Sequence, residues 1–483
     1  MRILCLALAA SLAGCAVGPD YRRPSLPEGV SAPAFKESGA WKTAAPATVD
    51  AAHPWWTGFG DPRLDALIEE ANGANQSLRL AEAQYREAQA LVQNAQAGWA
   101  PTLGLDLSGQ RARSQNSTGA PVQGNTHAWS LQAAWEPDLW GRVRRAVEGA
   151  ADSAQASDAD LAAARLAVQA AVANDYIQLR MTDAQQRLYD RTIEAYRKSL
   201  QITRSQYRAG VVTRADVDLA DTTLQSTQAL ALDTQLTRRQ LEHAIAVLLG
   251  KTPSQFSIAA DDSLPSLPAV PMAVPSELLE RRPDIAGAER RAASANAGIG
   301  YAQAAYYPSL SLSAAGGFAG AGFGNWFAAP GKVWALGAAV AQNLFDGGQR
   351  NAQLAQARAA FDASSASYRQ TVLAGFQEVE DNLAALDLLA QERQVQDGAV
   401  ASARNAERVS LSQFRAGTTT YLAVITSQTL ALNNERTALQ LQSRQFAAQV
   451  ALVKALGGGW DASQLQASAD ASPAAAYASS NSK

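Results

Sequence analysis

The residues able to hold a metal or attack a substrate are few and far apart. His53, His127 and His243 and the two cysteines, Cys5 and Cys15, fit no zinc spacing and form no Cys-His pair. Metal-dependent and thiol chemistry are excluded on that ground. Gly250-Lys251-Thr252 could close a phosphate loop, but position 245 is Ile where the loop needs glycine, so the triplet reads as a helix end. His243 lies mid-helix with no Cys, Asp or Ser constellation, and copper or silver export would have only Met1, Met181 and Met272 as thioethers. No nucleophile, base and orienting group can be assembled, so the chain reads as a non-enzyme. With 41 Lys+Arg against 44 Asp+Glu the net charge is −3, which leaves no basic excess for nucleic acid. Charged residues are 18% of the chain, below the roughly 25% of ordinary soluble domains, and imply wide neutral polar surfaces.

One covalent reaction is legible. Arg2 precedes an apolar run at residues 3–12, and Leu12-Ala13-Gly14-Cys15 resembles the bacterial lipobox. Residues 1–14 are then an export signal, and Cys15 receives diacylglyceryl and N-acyl groups that supply membrane affinity. No disulfide partner remains. The other chemically expressive cluster is Asp216, Asp218 and Asp221, which follow Arg208, Gly210 and Arg214 in one short stretch. These acids either bind cations or pair with Arg208, Arg214 or Arg415, or they are solvated acids favoured by a helix N-terminus.

What positions these groups is a duplicated architecture. Trp99 and Pro101 with Leu103 and Leu105 recur as Tyr306 and Pro308 with Leu310 and Leu312, and 308 − 101 = 207. Tyr207-Arg208-Ala209-Gly210 recurs as Phe414-Arg415-Ala416-Gly417, and 417 − 210 is again 207. The chain is a tandem repeat of a unit of about 200 residues, far beyond solenoid periods.

Proline placement locates the helices. None occurs between Pro137 and Pro253 or between Pro330 and Pro473, and proline costs a helix interior about 3 kcal/mol. Val372, Phe376, Val379, Leu383 and Leu386 follow 4-3-4-3 spacing, which points to coiled-coil packing. Arg-Ala-Gly at 208–210 and 415–417 ends a helix, and Thr213 or Thr418 to Thr420 can cap the next. Each proline-free stretch is therefore a helical hairpin. Its first arm, 141–207, would span roughly 100 Å and its second, 213–249, roughly 55 Å. The run at 75–98 could stack on the short arm and make up the deficit. Asp61-Pro62 reads as an N-cap and first helical residue, with Trp55 and Trp56 as packing anchors ahead of it.

Elsewhere the period is two. Leu103, Leu105, Leu107 and Trp129, Leu131, Ala133, Trp135 alternate with polar or small residues, as do Leu310, Leu312, Ala314 and Trp334, Leu336, Ala338, Val340. Each set predicts a β-hairpin of about 10-residue strands, joined by a polar loop at 114–126 or a glycine-rich loop at 316–332, with Trp99, Trp129, Tyr306 and Trp334 near strand ends. A small soluble sheet and a membrane barrel both satisfy the pattern. Strand length and export favour the barrel, and four strands cannot close one alone, because single-chain barrels start at about 8.

Taken in order, these features resemble the trimeric outer-membrane efflux channels of the TolC/OprM superfamily, in particular the lipoprotein, NodT-type branch that serves resistance-nodulation-division pumps. The resemblance rests on Gly18-Pro19-Asp20-Tyr21, Trp55-Trp56, Asp61-Pro62, Asp138-Leu139-Trp140-Gly141, Glu280-Arg281-Arg282-Pro283-Asp284-Ile285, both Arg-Ala-Gly turns and Ala455-Leu456-Gly457-Gly458-Gly459-Trp460. It implies a mainly α fold with a transmembrane β part. Long helical hairpins form a trimeric α-barrel, and four strands per chain complete a 12-stranded outer-membrane β-barrel. It implies a homotrimer in outer-membrane lipid, with a periplasmic adaptor and an inner-membrane pump as partners and no cofactor beyond the lipid on Cys15. The periplasmic mouth would close at the hairpin tips, carried here by Arg208, Gly210, Arg214, Asp216, Asp218, Asp221, Arg415, Gly417 and Tyr421. Thr426 stands at a position often acidic in the family.

The implied organisation is a signal peptide at 1–14, a lipidated segment packing on an equatorial domain at 15–60, and a first repeat at 61–256 with β-hairpin 102–138 and helical hairpin 141–250. An equatorial linker follows at 257–275. The second repeat covers 276–460 with β-hairpin 309–345 and helical hairpin 346–457, and 461–483 is a disordered tail. The implied activity is passive conduction of drugs or other small toxic molecules out of the cell. Two alternatives stand beside it, the outer-membrane conduit of a type I protein secretion system and a lipid-tethered periplasmic coiled-coil scaffold.

Overall fold

The computed structural model describes residues 16–26, 35–38, 54–115, 117–261, 281–321 and 331–465. The export signal, Cys15, the 262–275 part of the linker and the tail from 466 onward lie outside the described residues. The elements in chain order are α1 (Pro62–Ala74), α2 (Gln76–Ala97), β1 (Thr102–Gln115), β2 (Pro121–Trp135), α3 (Arg142–Arg208) and α4 (Arg214–Leu248). They continue as α5 (Pro283–Ala304), β3 (Ser309–Gly320), β4 (Lys332–Ala341), α6 (Gln349–Arg415) and α7 (Tyr421–Ala455).

The duplication is kept to the residue in the helices. α2 and α5 each have 22 residues, α3 and α6 each 67, and α4 and α7 each 35. Their first residues, 76 and 283, 142 and 349, 214 and 421, all differ by 207. At about 1.5 Å per residue the long arms reach roughly 100 Å.

Both hairpins turn in the same way. After α3, the Gly210 N–H donates to the Tyr207 carbonyl and the Val211 N–H to the Gln206 carbonyl; after α6, Gly417 and Thr418 do the same with Phe414 and Gln413. This is the Schellman ending, which needs a left-handed residue, and Gly210 and Gly417 supply it at φ 72° and 73°.

The short arms are lengthened by splicing. Asn75 accepts from the N–H groups of Ser77 and Leu78 at the start of α2, while its Nδ2 donates to the Leu248 carbonyl at the end of α4 at 2.8 Å. One side chain thereby satisfies orphan groups of two helix ends. In the second repeat Arg282, at the N-cap position of α5, donates to the Ala455 carbonyl of α7 at 3.1 Å and to Glu378 of α6 at 2.8 Å. At that junction a Cβ on Gly457 would collide with the Arg281 carbonyl, so the backbones meet there without room for a side chain.

α3 packs against α4 and α7, and α7 packs on α6, leaving α4 and α6 at the two edges of a helical wall. One core gathers Trp56, Phe59, Leu64, Ile68, Tyr176, Leu179, Ile245 and Phe446 where α1 meets α3. Trp55 and Trp56 are packing anchors, with the Trp55 indole donating to Gln169 at 3.2 Å. Asp61 caps α1 and accepts from the Tyr176 hydroxyl at 2.8 Å. His243 is exposed. Asp461 to Leu465, assigned by sequence to a disordered tail, continue the fold: Leu465 is buried beside Ala159 and Ala286, with Trp460 against them. The first of the assigned linker residues are likewise fixed, since Ile258 is buried and its carbonyl accepts from Arg238 at 2.6 Å.

The four strands form one antiparallel sheet in the order β1-β2-β3-β4. The expected loop at 114–126 is corrected. β1 runs to Gln115 and β2 starts at Pro121, so most of that polar stretch is ladder. Trp129, expected near a strand end, is mid-strand for the same reason. Polarity on both faces weakens packing without weakening backbone pairing, so the strands outrun their apolar portion. The glycine-rich stretch behaves likewise, with Gly316 and Gly317 paired to Trp334 and Val333; its remainder, 322–330, lies outside the described residues.

Candidate functional site

The register settles which side chains share a face. Leu103, Leu105 and Leu107 pair with Ala133, Leu131 and Trp129; Trp129 and Trp135 pair with Phe318 and Leu312; and Leu312, Ala314 and Gly316 pair with Ala338, Leu336 and Trp334. Directly paired residues point to the same side, so all of the period-two apolar positions fall on one face. The other face carries Asp106, Ser108, Ser130, Gln132, Ser311, Ser313 and Ala315. Within this chain nothing covers the apolar face among the described residues: Leu103, Trp334, Leu336 and Val340 are 73%, 73%, 76% and 72% exposed. β1 and β4 are paired on one side only. An apolar face backed by a face of small and polar residues is the division between hydrocarbon and water in a membrane barrel.

At the foot of the sheet, Asp138 accepts from the N–H groups of Val143 and Arg144 and starts α3, and the Trp140 indole donates to the Pro308 carbonyl at 2.7 Å while stacking on Tyr307 at 4.9 Å. The N-terminal segment is strapped to this foot. The Val17 N–H donates to the Trp140 carbonyl at 3.0 Å, and Ala16 lies against Gly141. Buried Arg145 donates to the carbonyls of Val17 and Gly18 at 3.3 Å each and to the Asp20 carboxylate at 3.2 Å. Farther along, the Tyr21 hydroxyl donates to Glu289 at 2.6 Å; burial, and then this bond, hold the phenol above its ordinary range. Arg290 joins Glu289 to Asp152, whose carboxyl burial pushes up to about 6 despite that arginine.

At the opposite end of the helices the acids expected to form rings are engaged locally. Asp216 is half of a capping box: it accepts from the Thr213 N–H at 2.8 Å, and the Thr213 hydroxyl accepts from the Asp216 N–H. Asp218 pairs with Arg214 one turn away at 3.0 Å, and Asp221 pairs with Arg204 across the hairpin at 3.6 Å and accepts from Gln225. Arg208 donates to Ser205 at 3.3 Å. Arg415 is exposed, and no acid lies within ion-pair distance of it among the described residues. Thr420 occupies the N-cap of α7 without using its side chain, and the Thr418 hydroxyl donates back to the Gln413 carbonyl. Thr426 is exposed and donates to the Leu422 carbonyl of its own helix.

Tyr421 departs from the expected set. It is buried in the core that ties the two hairpin ends together, with Phe414 at 5.2 Å and the Ser199 hydroxyl at 3.3 Å from its own, so it braces the ends from inside and presents nothing outward. Arg238 links the two arms of the first hairpin by charge through Asp183 at 2.7 Å, and Arg204, which sequence reasoning missed, does so nearer the turn. Its only sequence signal is its helix phase relative to Asp221, which is fixed once the turn at Gly210 is known.

Residues 67–251 and 274–458 match the family described as outer membrane efflux protein, one copy on each repeat. The chain belongs to the outer membrane efflux protein family. It is 31% identical over 467 residues to the toluene efflux pump outer membrane protein TtgC of Pseudomonas putida, covering 95% of this chain and 96% of that one. It is 32% identical over 450 residues to the pyoverdine export outer membrane protein OpmQ of Pseudomonas aeruginosa, covering 89% and 94%. Among solved structures, the outer-membrane channel OprN superposes with TM-score 0.85 at 31% identity, over 92% of this chain and all of that one. CusC superposes with TM-score 0.81 at 26% identity, over 92% and 100%.

As an outer membrane efflux protein the chain is an efflux channel of the outer membrane. The efflux-channel reading, and not the alternative of a non-conducting periplasmic scaffold, is the one the relatives support. No described helix is long and apolar enough to cross a membrane, and no group of three metal-ligating side chains forms among the described residues.

Proposed function

We propose that three copies of the chain assemble about one axis into a passive conduit for drugs, solvents or other small toxic molecules. The observation that carries this reading is the four-stranded sheet with its open edges and uncovered apolar face. Unpaired backbone groups in lipid cost several kcal/mol each, so β1 of one copy must meet β4 of the next, and three copies of four strands give a 12-stranded barrel. Below it, each copy contributes α3, α6 and the two spliced columns, α4 with α2 and α7 with α5, which gives 12 columns around a periplasmic tunnel. The apolar residues left exposed on the edge helices, Leu232 and Leu236 of α4 and Leu388 and Val395 of α6, support contact between copies there.

The relatives named for toluene and pyoverdine support small organic cargo and a partner pump. A periplasmic adaptor and an inner-membrane pump of the resistance-nodulation-division type would engage the hairpin tips, supply the energy and choose the substrate. Cys15 carries the acyl groups in this reading: Ala16 lies at the foot of the sheet, and consecutive Cα atoms are only about 3.8 Å apart. At the tips, Arg415 is available to pair with an acid of a neighbouring copy, whereas Asp216 is committed to its cap.

The test is deletion of the gene and its return on a plasmid. Loss of the gene sensitises cells to toluene and to hydrophobic antibiotics, the wild type restores resistance, and cross-linking recovers a trimer from outer-membrane fractions. Arg415→Ala raises the closed-state conductance in planar bilayers and Asp216→Asn leaves it unchanged. A monomer in those fractions with unaltered drug sensitivity would overturn the reading. Restored export of a large unfolded polypeptide in its place would favour protein secretion.

A further inference from the structure

The charges of the sheet are segregated by face. Its lysine and arginine side chains are Arg111, Arg113 and Lys332, and its one acid is Asp106. Arg111 and Arg113 share the parity of Leu103, Leu105 and Leu107, and Lys332 pairs with Phe318, which pairs with Trp129, which pairs with Leu107. All three cations therefore stand on the lipid-facing side, and Asp106 stands on the other. Lys332 stands level with Leu107, and the two arginines stand beyond it. The apolar row ends at Leu107 and Trp129, and the same face continues as Gly109, Arg111 and Arg113 opposite His127, Asn125 and Gln123, with no acid among them. This is the end of the sheet away from the helices.

Both arginines are exposed, and Arg111 is also oriented. With its amide oxygen turned toward the guanidinium, Gln123 accepts from Nε and Nη2 of Arg111 at 2.9 and 3.1 Å. The remaining donors of the fork stay open, in the planar array that recognises phosphate. Strand rise puts Arg113 about 7 Å farther along the same face, with Lys332 at the upper margin of the apolar row. A soluble anion would gain nothing from the leucines and tryptophans directly beneath. An amphiphile with phosphates above acyl chains would engage both.

We propose that this outward collar of Arg111, Arg113 and Lys332 is a binding site for the phosphorylated glycolipid of the outer leaflet, with lipid A phosphates on the cations and acyl chains on the face of Leu105, Leu107 and Trp129. The proposal rests on the membrane-barrel reading given above. It assigns the polar ladder beyond Gly109 a task, because those strands hold the cations at the level of the headgroups.

The experiment uses the full-length protein, purified in detergent and stripped of lipopolysaccharide, and measures retention of bisphosphorylated lipid A, dephosphorylated lipid A and phosphatidylglycerol by native mass spectrometry. The wild type should retain bisphosphorylated lipid A at least tenfold better than the other two. The double variant Arg111→Gln, Arg113→Gln should lose that preference, Lys332→Gln should weaken it, and Asp106→Asn on the opposite face should leave it intact. Equal retention by the wild type and the double variant, retention of phosphatidylglycerol as good as that of lipid A, or displacement by millimolar inorganic phosphate would each overturn the proposal. Fractionation of the same strains separates the two readings. Wild type in the outer membrane with no lipid A preference defeats the collar alone, whereas wild type absent from that membrane defeats the barrel and the collar together.

Discussion

Asn75 and Arg282 stand 207 residues apart and do one job by different chemistry: each occupies the N-cap of its 22-residue helix and donates to the carbonyl at the end of the short arm spliced to it, Leu248 or Ala455. The amide is self-sufficient, since its oxygen caps α2 while its nitrogen ties α4. The guanidinium caps nothing and recruits carboxylates, binding Asp284 at 2.6 Å and Glu378 at 2.8 Å. Asp284 in turn accepts from the Ile285 N–H.

Asn75→Ala should therefore cost about 1–2 kcal/mol, because a cap and a buried carbonyl lose their partner together. Asn75→Asp keeps the cap but sets a carboxylate against the Leu248 carbonyl, and should be at least as damaging. Hydrogen exchange in the first turn of α2 and the last turn of α4 should quicken together in both variants, and remain slow at the Arg282 junction.

Two glycines with the same backbone sign should respond differently to one methyl group. Gly210 has open space around its missing Cβ, so Gly210→Ala carries only the left-handed penalty of about 1–2 kcal/mol. Gly457 has φ 89° and faces the Arg281 carbonyl, so Gly457→Ala adds a backbone collision that no rotamer relieves. Thermal unfolding in detergent should show a small shift for the first and failure to accumulate for the second.

Asp152 makes the upper helices sensitive to pH. Burial raises its pKa to about 6 from an ordinary 3.8, so the folded chain binds this proton more tightly than the unfolded one. Its contribution to stability therefore falls as pH rises from about 4 to about 6 and is fully lost above that. Asp152→Asn should remove the penalty, stabilising the α3–α5 contact at pH 7 by about 2–3 kcal/mol with little change at pH 4. Urea midpoints at the two pH values check the sign, and a variant less stable at pH 7 would contradict it.

The two faces of β4 should tolerate charge unequally. Leu336 stands on the apolar face and Ala335 on the other, one residue away. Leu336→Arg should cost about 2–4 kcal/mol near the middle of the bilayer and reduce the protein recovered from outer membranes. Ala335→Arg should insert normally and alter conductance. Equal insertion of both would place the sheet outside lipid.

The duplication, the helix boundaries and the sheet faces were legible in the sequence because each leaves a periodic or punctuated trace: leucines at period two, proline-free stretches, Arg-Ala-Gly turns. The ladder beyond Gly109 was not, since residues such as Arg111 and Asn125 carry no one-sided pattern when both faces are wet. The hairpin acids illustrate a different limit. Thr213 and Asp216 satisfy a capping box as well as a ring of charge, and spacing alone does not choose between them. The partnership of Asn75 with Leu248 depends on the angle at which two distant helix ends meet, which no local pattern encodes.

The matched 67-residue arms make the molecule a ruler. Removing one heptad from α3 alone would draw its turn back by about 10 Å and put Val217 and Leu224 of α4 out of register with the cluster they share with Tyr189 and Tyr196 of α3. Length can therefore change only in step: a deletion in either long arm requires the same number of residues to leave its spliced counterpart and both columns of the other half. Span becomes a quantity shared by the whole chain, and no single helix can adjust it.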